Sequence, residues 1–549
     1  MTRSRRAWPV IAGGFVVATA YASTAARTVT RWDSGEFLAA VHSLGIPHPP
    51  GTPLYVLLAR VWATLPLPLS FATRVNLFSA LCGAAAVTLL GLLVRRWTGE
   101  SIGGLAATVC AGGTATLWLS ATEAEVYAPA LLAAVVLLAI PEWARGHAHR
   151  MWPLLGFSAG LAWTLHPAAL VTLPAAVLLA LDRGQNGEPR AAHDRASKFA
   201  AAVAAALLGI TVVLFLLIRS QHDPAINQGN PVSIEALRDV LTREQYPSYG
   251  FWPRQSPLWL QLGNWFEYAD WQFALGLSPG APPSWVRTPV TVLFAVLGAV
   301  GLAGHRRLDR RSWRGLLLAF LAATVGLVLY LNMRAGPSFG GDFIPAGALR
   351  EARERDYFFT AAFVIWGAWA GLGAVLLARR LAGGTREAAA GGMARNAAPW
   401  LAAAVVASGA PLLLNYRHVH DERVVAARAT LNEAVGILRS LPPRAVFLAL
   451  GDNDTYPLWY AQVVDAVRPD VAVVTVPLLA TRWNREEVAR RHGFRSAVPA
   501  IGTSAAVAAV CSDAAAASRP VILTPYAHAG RFSAQCPRLV SASMPVNPR

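Results

Sequence analysis

The chain reads as a polytopic α-helical membrane protein with a small soluble α/β domain at its C-terminal end. Three observations predict this class. The first is composition: 54% of the 549 residues are hydrophobic, 14% are charged, and the mean hydropathy is +0.40, where soluble domains carry roughly 25% charged residues. The second is a series of about eleven apolar runs, near 7–26, 74–94, 101–120, 126–141, 152–165, 167–181, 199–218, 288–304, 314–332, 357–378 and 398–414, read as membrane spans. The third is where the arginines fall. The formal charge is +17, and its carriers sit in every second loop: Arg3, Arg5 and Arg6; Arg95 and Arg96; Arg145 and Arg150; Arg183, Arg190, Arg195 and Lys198; Arg306, Arg307, Arg310, Arg311 and Arg314; Arg379, Arg380, Arg386 and Arg395. All of these lie on one side if the N-terminus is cytoplasmic. The basic balance is thus explained by orientation in a plasma (inner) membrane, and nucleic acid is not needed as a partner.

Taken in order, the first run is an uncleaved anchor, although Met1–Arg6 and the apolar stretch after it have the form of a secretory signal. Residues 1–414 form the membrane domain, with a first outer loop at 27–73 and a large outer loop at 219–287, and 415–549 form the extracytoplasmic α/β domain. The first outer loop holds the densest chemistry, RWDSGEFLAAVHSLGIPHPPGTPLY over Arg31–Tyr55. Asp33 and Glu36 are three apart at the start of a helix predicted over Ser34–Leu44, with Phe37, Val41 and Leu44 as its apolar stripe. Gly45 and Pro47 stop that helix, and His48 is held extended by Pro49. Thr52 and Pro53 restart a second short helix. Ionisable groups near a bilayer are costly and usually mark a site. The plain alternative is a capped connector with solvated acids.

Later outer segments carry further candidates. Glu123 and Glu125, at the end of the third span, have the spacing of a divalent-cation site or of a cap on the next helix. The aromatic stretch Tyr246, Tyr249, Phe251, Trp252, Trp259, Trp265, Phe266, Tyr268, Trp271 and Phe273 suits an interfacial belt, or a platform for a sugar or isoprenoid. Arg350–Tyr357 places Arg353, Arg355 and Asp356 at the outer mouth of a span. The arginines there offer forks for phosphate, or a salt-bridge network with Glu351, Glu354 and Asp356. In the tail, a helix over Val424–Leu441 precedes strands at Ala445–Leu450, Val471–Val476 and Pro520–Thr524. Asp452 and Asp454, in Gly451–Pro457, follow a strand end, where α/β folds place ligands; both are also common turn residues, and the next helix is expected from Pro457 to Val467. Cys511 and Cys536 share this outer domain and form a pair; Cys82 and Cys110 lie in spans. No Gly-rich phosphate loop, Cys-x-x-Cys pair or nucleophile elbow is present.

The Arg31–Tyr55 stretch, with RVNLFSAL at Arg74–Leu81, RERDYFF at Arg353–Phe359 and GDNDTYPLWYAQVVDAVRPDV at Gly451–Val471, resembles the family long called domain of unknown function 2723, the transmembrane protein 260-like protein O-mannosyltransferases. That family is similar to the GT-C glycosyltransferases. The resemblance implies a GT-C-like fold and transfer of a sugar, mannose by analogy, from a polyprenyl-phosphate donor to a hydroxyl acceptor such as a protein Ser or Thr, on the outer face. It implies Asp33 as the catalytic acid residue; in the mechanism expected here Asp33 is general base with Glu36 in support, and His48, Arg353, Arg355, Asp356, Asp452 and Asp454 are the substrate-binding candidates. It leaves Glu123 and Glu125 as the metal candidates, since use of a divalent cation varies among such enzymes. The expected partners are the lipid-linked sugar, the acceptor and membrane lipid. The rival readings are a transporter or flippase of a lipid-linked sugar, and a non-catalytic membrane scaffold.

Overall fold

The computed structural model describes residues 7–145, 147–182, 192–246, 250–340, 343–345, 347–382, 394–524, 535–536 and 539–541. Arg3, Arg5, Arg6, Arg183, Arg190, Tyr249 and Arg386 lie outside them. The chain divides into two compact units. One comprises Met1–Ala25, Asn76–Val212 and Ser248–Val424; the other comprises Ala26–Val75, Val213–Pro247 and Val425–Arg549. The segment Val425–Arg549 folds in the second unit together with most of the first outer loop and the first part of the large one.

The first unit is helical. All eleven expected runs lie in helix. Among the described residues six helices are long and apolar enough to cross a membrane: Phe71–Thr98, Ala196–Ser220, Thr288–Leu308, Arg310–Leu331, Asp356–Leu381 and Ala397–Ser440. A bent pair, Ser101–Gly112 with Ala115–Ala121, turns by 70° and makes a seventh if counted as one span. The remaining runs form shorter helices such as Trp8–Thr24 and Tyr127–Trp143. Length separates the eleven apolar runs from the six full-length helices, since about 20 residues are needed to cross the hydrocarbon core. The Asp356–Leu381 helix is the most enclosed of the six, with 83% of its apolar window buried. Three arginines from three different predicted inner loops meet at buried Glu142: Arg96 at 3.6 Å, Arg145 at 2.6 Å, and Arg311 through Nη1. Arg379 pairs with Glu100 at 2.6 Å. The aromatic stretch serves two ends: Tyr268, Trp271 and Phe273 are core residues, whereas Phe251, Trp252, Trp259 and Phe266 are exposed.

The second unit is built on a parallel sheet. Its strands are β1 (Val446–Ala449), β2 (Ala472–Thr475), β3 (Val521–Leu523) and β4 (Leu539–Ser541), in the order β2-β1-β3-β4. β4 adds a fourth strand to the three expected. β1 is flanked in parallel by both β2 and β3, so the chain reverses direction of travel at the β1–β3 edge. Both faces are covered: Val446, Leu448 and Val474 pack towards Val507, Val510 and Ala514, and Phe447 and Ala449 towards Leu438, Leu458 and Ala461. Cys511 and Cys536 are joined as a disulfide, with Cα atoms 5.5 Å apart. The helix over Asp452–Val463 begins five residues before the expected Pro457. The reason is Asp454, whose carboxylate accepts from the amides of Leu450 (2.8 Å) and Gly451 (2.6 Å) and so caps an earlier start.

Candidate functional site

The first outer loop and the N-terminus of the Asp452–Val463 helix belong to the second unit and meet there. The Ser34–Ser43 helix forms as its apolar spacing dictates, with Phe37 and Val41 fully enclosed. It ends at Leu44, which is left-handed at φ +50°. Gly45 follows because a side chain there would strike the carbonyl of Ile226 at 2.4 Å. This close approach lets Ile46 donate to Ile226 O (2.8 Å) and accept from Gln228 N (2.9 Å), which aligns segment 226–228 beside the loop.

That alignment delivers Gln228 to Glu36. The Glu36 carboxylate is fully buried. Its Oε1 accepts from the backbone N–H of His48 at 2.7 Å and from Gln228 Nε2, and its Oε2 lies 2.6 Å from His48 Nδ1. Glu36 is therefore a brace: it holds the His48–Gly51 loop in place and faces the interior. The His48 ring is about a quarter exposed and stands beside Phe37, 5.6 Å between centroids, which in turn packs edge-on against Tyr55.

Asp33 is placed differently. It occupies the N-cap position of the Ser34–Ser43 helix but its side chain makes no cap bond, and it is half-buried. Trp32, just before it, takes φ +61°, a conformation costly for a bulky residue. Its N–H donates to Asn453 Oδ1 at 2.6 Å. Gly35 lies flat on the neighbouring helix: a Cβ there would come within 2.4 Å of the Tyr456 carbonyl oxygen. Ser34 Oγ and Thr52 Oγ1 are buried and have no hydrogen-bond partner among the described residues; Thr52 sits at the start of the Pro53–Ala63 helix without capping it through its side chain.

Tyr456 is enclosed in the same place. Burial pushes its phenol well above the usual range, and the carboxylates of Glu36, Asp452 and Asp33 push it further. It remains a neutral hydroxyl among acids. Asp452 is exposed in the first turn of its helix, while Asp454 is buried and occupied as a cap. Asn453, Tyr456 and Gln228 were not among the candidates drawn from the sequence. Tyr456 stood inside the GDNDTYP motif. Gln228 and Asn453 carry no signal of their own, since each acts on a partner 192 or 421 residues away.

The other candidates lie in the first unit. Arg355 pairs with Glu351 Oε2 at 3.0 Å and donates from Nη1 to Tyr357 Oη at 2.5 Å. Burial opposes its charge, yet Tyr357 and Glu351 hold its pKa up. Arg353 lies over the Tyr357 ring, 4.5 Å from the centroid, with Nε 3.0 Å from the hydroxyl. Asp356 accepts from Thr116 Oγ1 at 2.6 Å, and Glu354 accepts from Tyr268 Oη at 2.9 Å. Arg355 fits the salt-bridge alternative through Glu351, and Arg353 lies over an aromatic ring. Glu123 pairs with Arg423 at 2.8 Å, and Glu125 Oε2 accepts from the amide of Val126 at 2.8 Å. These partners suit an ion pair and a helix cap; among the described residues no three His, Cys, Asp or Glu side chains assemble as a ligand set.

Comparison with known proteins identifies relatives for the two site-bearing stretches. Residues 33–188 match the model of the protein O-mannosyl-transferase TMEM260 N-terminal domain, and residues 430–517 match TMEM260-associated domain 2. Protein O-mannosyl-transferase TMEM260 of Mus musculus is 40% identical over 111 residues, 20% of this chain and 16% of that protein. Protein O-mannosyl-transferase tmem260 of Dictyostelium discoideum is 25% identical over 126 residues, 22% of this chain and 15% of that one. The chain thus matches less than a fifth of the length of these curated relatives. Among solved structures, ArnT from Cupriavidus metallidurans bound to undecaprenyl phosphate aligns with a TM-score of 0.49 at 13% identity, over 84% of this chain and 89% of that one. The oligosaccharyltransferase AglB from Archaeoglobus fulgidus, in complex with an inhibitory peptide and a dolichol-phosphate, aligns with a TM-score of 0.46 at 10% identity, over 88% and 68%.

Proposed function

We propose that this chain, which carries two domains of the protein O-mannosyl-transferase TMEM260 family, is a GT-C-type membrane glycosyltransferase. It transfers a sugar, mannose by analogy with its relatives, from a polyprenyl-phosphate donor to an acceptor hydroxyl of a protein Ser or Thr. The observation that carries the reading is Asp33, a half-buried carboxylate at a helix start, on a loop fixed by a fully buried Glu36–His48–Gln228 brace. A fixed base next to preorganised polar groups is what acceptor activation requires.

In this reading the acceptor oxygen attacks the anomeric carbon as its proton passes to Asp33. The bond from that carbon to the phosphate oxygen breaks, and its electron pair leaves with the lipid phosphate. Glu36 is a positioning residue. His48, the Tyr456 hydroxyl and Asp452 contact the substrates around Asp33. Arg353 and Arg355 are assigned to phosphate recognition by the chemistry of their guanidinium forks. Glu123 and Glu125, with the partners they have, do not fit a divalent cation, and no step is routed through one. The site lies on the extracytoplasmic side, as the arginine pattern requires.

The test is Asp33→Asn in purified protein, given a polyprenyl-phosphate mannose donor and a Ser/Thr peptide. Transfer should fall by about 10²- to 10⁴-fold, the usual cost of losing a general base, while donor binding persists. Transfer at the wild-type rate removes Asp33 from the chemistry.

A further inference from the structure

Gln228 has two working ends. Its Nε2 donates to Glu36, but its Oε1 is buried without a partner among the described residues. Gln228 also lines a cavity of about 350 Å3 in the sheet-bearing unit, bounded by β2, by Trp459 of the Asp452–Val463 helix, and by the helix over Arg482–His492. Two further lining residues carry buried polar atoms without partners: Asn484 Oδ1 and Trp483 Nε1. Buried polar atoms are paired in the great majority of cases. Three in the wall of one chamber leave hydrogen-bonding capacity that a turn of each side chain would present to a polar ligand.

The chamber is also preorganised. Arg491 donates to the carbonyls of Pro224 and Ala225, each at 2.6 Å, and to Asp223 at 3.2 Å, with Arg490 on the same carboxylate. These bonds fix the segment that carries Gln228. Glu487 also lines the chamber, and burial holds its carboxyl at about 7 against the pull of Arg491 and Arg490. It pairs with Arg491 Nε at 3.0 Å. Trp459 and Trp483 contribute apolar ring surface beside these polar groups.

A ligand that draws these side chains into the chamber would donate to two amide oxygens, accept from an indole N–H, and present an apolar face to indole rings. A pyranose does all three, and the volume falls within the usual range of small-molecule sites. We infer that this cavity is a second carbohydrate site, which binds the pyranose of a free saccharide or of a glycosylated acceptor. A sugar bound there shares Gln228 with the brace behind Asp33.

The test is equilibrium binding to the full-length protein in detergent, read by tryptophan fluorescence and ligand-observed NMR. The probes are methyl α-mannopyranoside, methyl α-glucopyranoside, and one Ser/Thr peptide with and without a single O-mannose. Saturable binding of a glycoside or of the mannosyl peptide supports the site; the free-glycoside and glycopeptide arms tell the two sources apart. Trp483→Phe and Asn484→Ala should each weaken binding about five- to tenfold, the effect of one lost hydrogen bond, with the thermal midpoint retained. Trp483→Phe keeps the ring and decides the matter if Asn484→Ala does not fold. The inference is overturned if no glycoside or glycopeptide binds saturably, if the bare peptide binds as well as the mannosyl peptide, or if neither variant changes affinity. The assay needs no sugar transfer, so its failure and that of the transferase reading are distinguishable.

Discussion

At the scale of single residues, two carboxylates three positions apart have different surroundings. Glu36 is buried and fully engaged by His48 and Gln228, while Asp33 stands half-buried without a cap bond. Glu36→Gln leaves one oxygen to serve the donors that two now serve, and places an amide against His48. Breaking a buried charged contact of this kind costs about 3 kcal/mol, so this variant should lower the thermal midpoint and lose transfer together. A Glu36→Gln protein of unchanged stability but lost transfer would make Glu36 catalytic instead. The sequence exposed both acids because charges are conspicuous in an apolar chain. It did not separate their roles, which depend on which way each side chain turns. Gln228, Asn453 and Tyr456 were hidden for a related reason: an amide or a phenol is unremarkable until tertiary structure sets it against a carboxylate.

At the scale of elements, the decisive contact is helix on helix. The Ser34–Ser43 helix was legible from its stripe and its Gly45 stop, as was β1 from its apolar run. The start of the Asp452–Val463 helix was not: Pro457 is a strong helix-start signal, and it was outweighed by the cap from Asp454. Gly35 is the joint between the two helices, because a Cβ would meet the Tyr456 carbonyl at 2.4 Å, where backbone cannot easily move aside. Gly35→Ala should destabilise the unit by about 2 kcal/mol and reduce transfer without removing any ionisable group. A Gly35→Ala protein with unchanged melting and turnover would show that the two helices need not be in register.

At the scale of the whole molecule, the eleven apolar runs all proved helical, but six reach full spanning length among the described residues. Periodicity sees apolar runs and does not see where Gly112 and Gly113 bend one. The arginine pattern fared better, since Arg96, Arg145 and Arg311, from three separate loops, converge on Glu142. The convergence puts these three loops at one face, the one the arginine pattern expects to be cytoplasmic. An impermeant thiol reagent on intact cells should therefore miss single cysteines introduced at Arg306–Arg311 and label those at Gly451–Tyr456; the reverse pattern would put Asp33 on the wrong side of the membrane.

The most direct measurement is transfer itself. Purified wild-type protein should move radiolabelled mannose from a polyprenyl-phosphate donor onto a Ser/Thr peptide, with and without chelator. No transfer under either condition, together with movement of the lipid-linked sugar across liposomes by the same preparation, would contradict the account and identify a transporter.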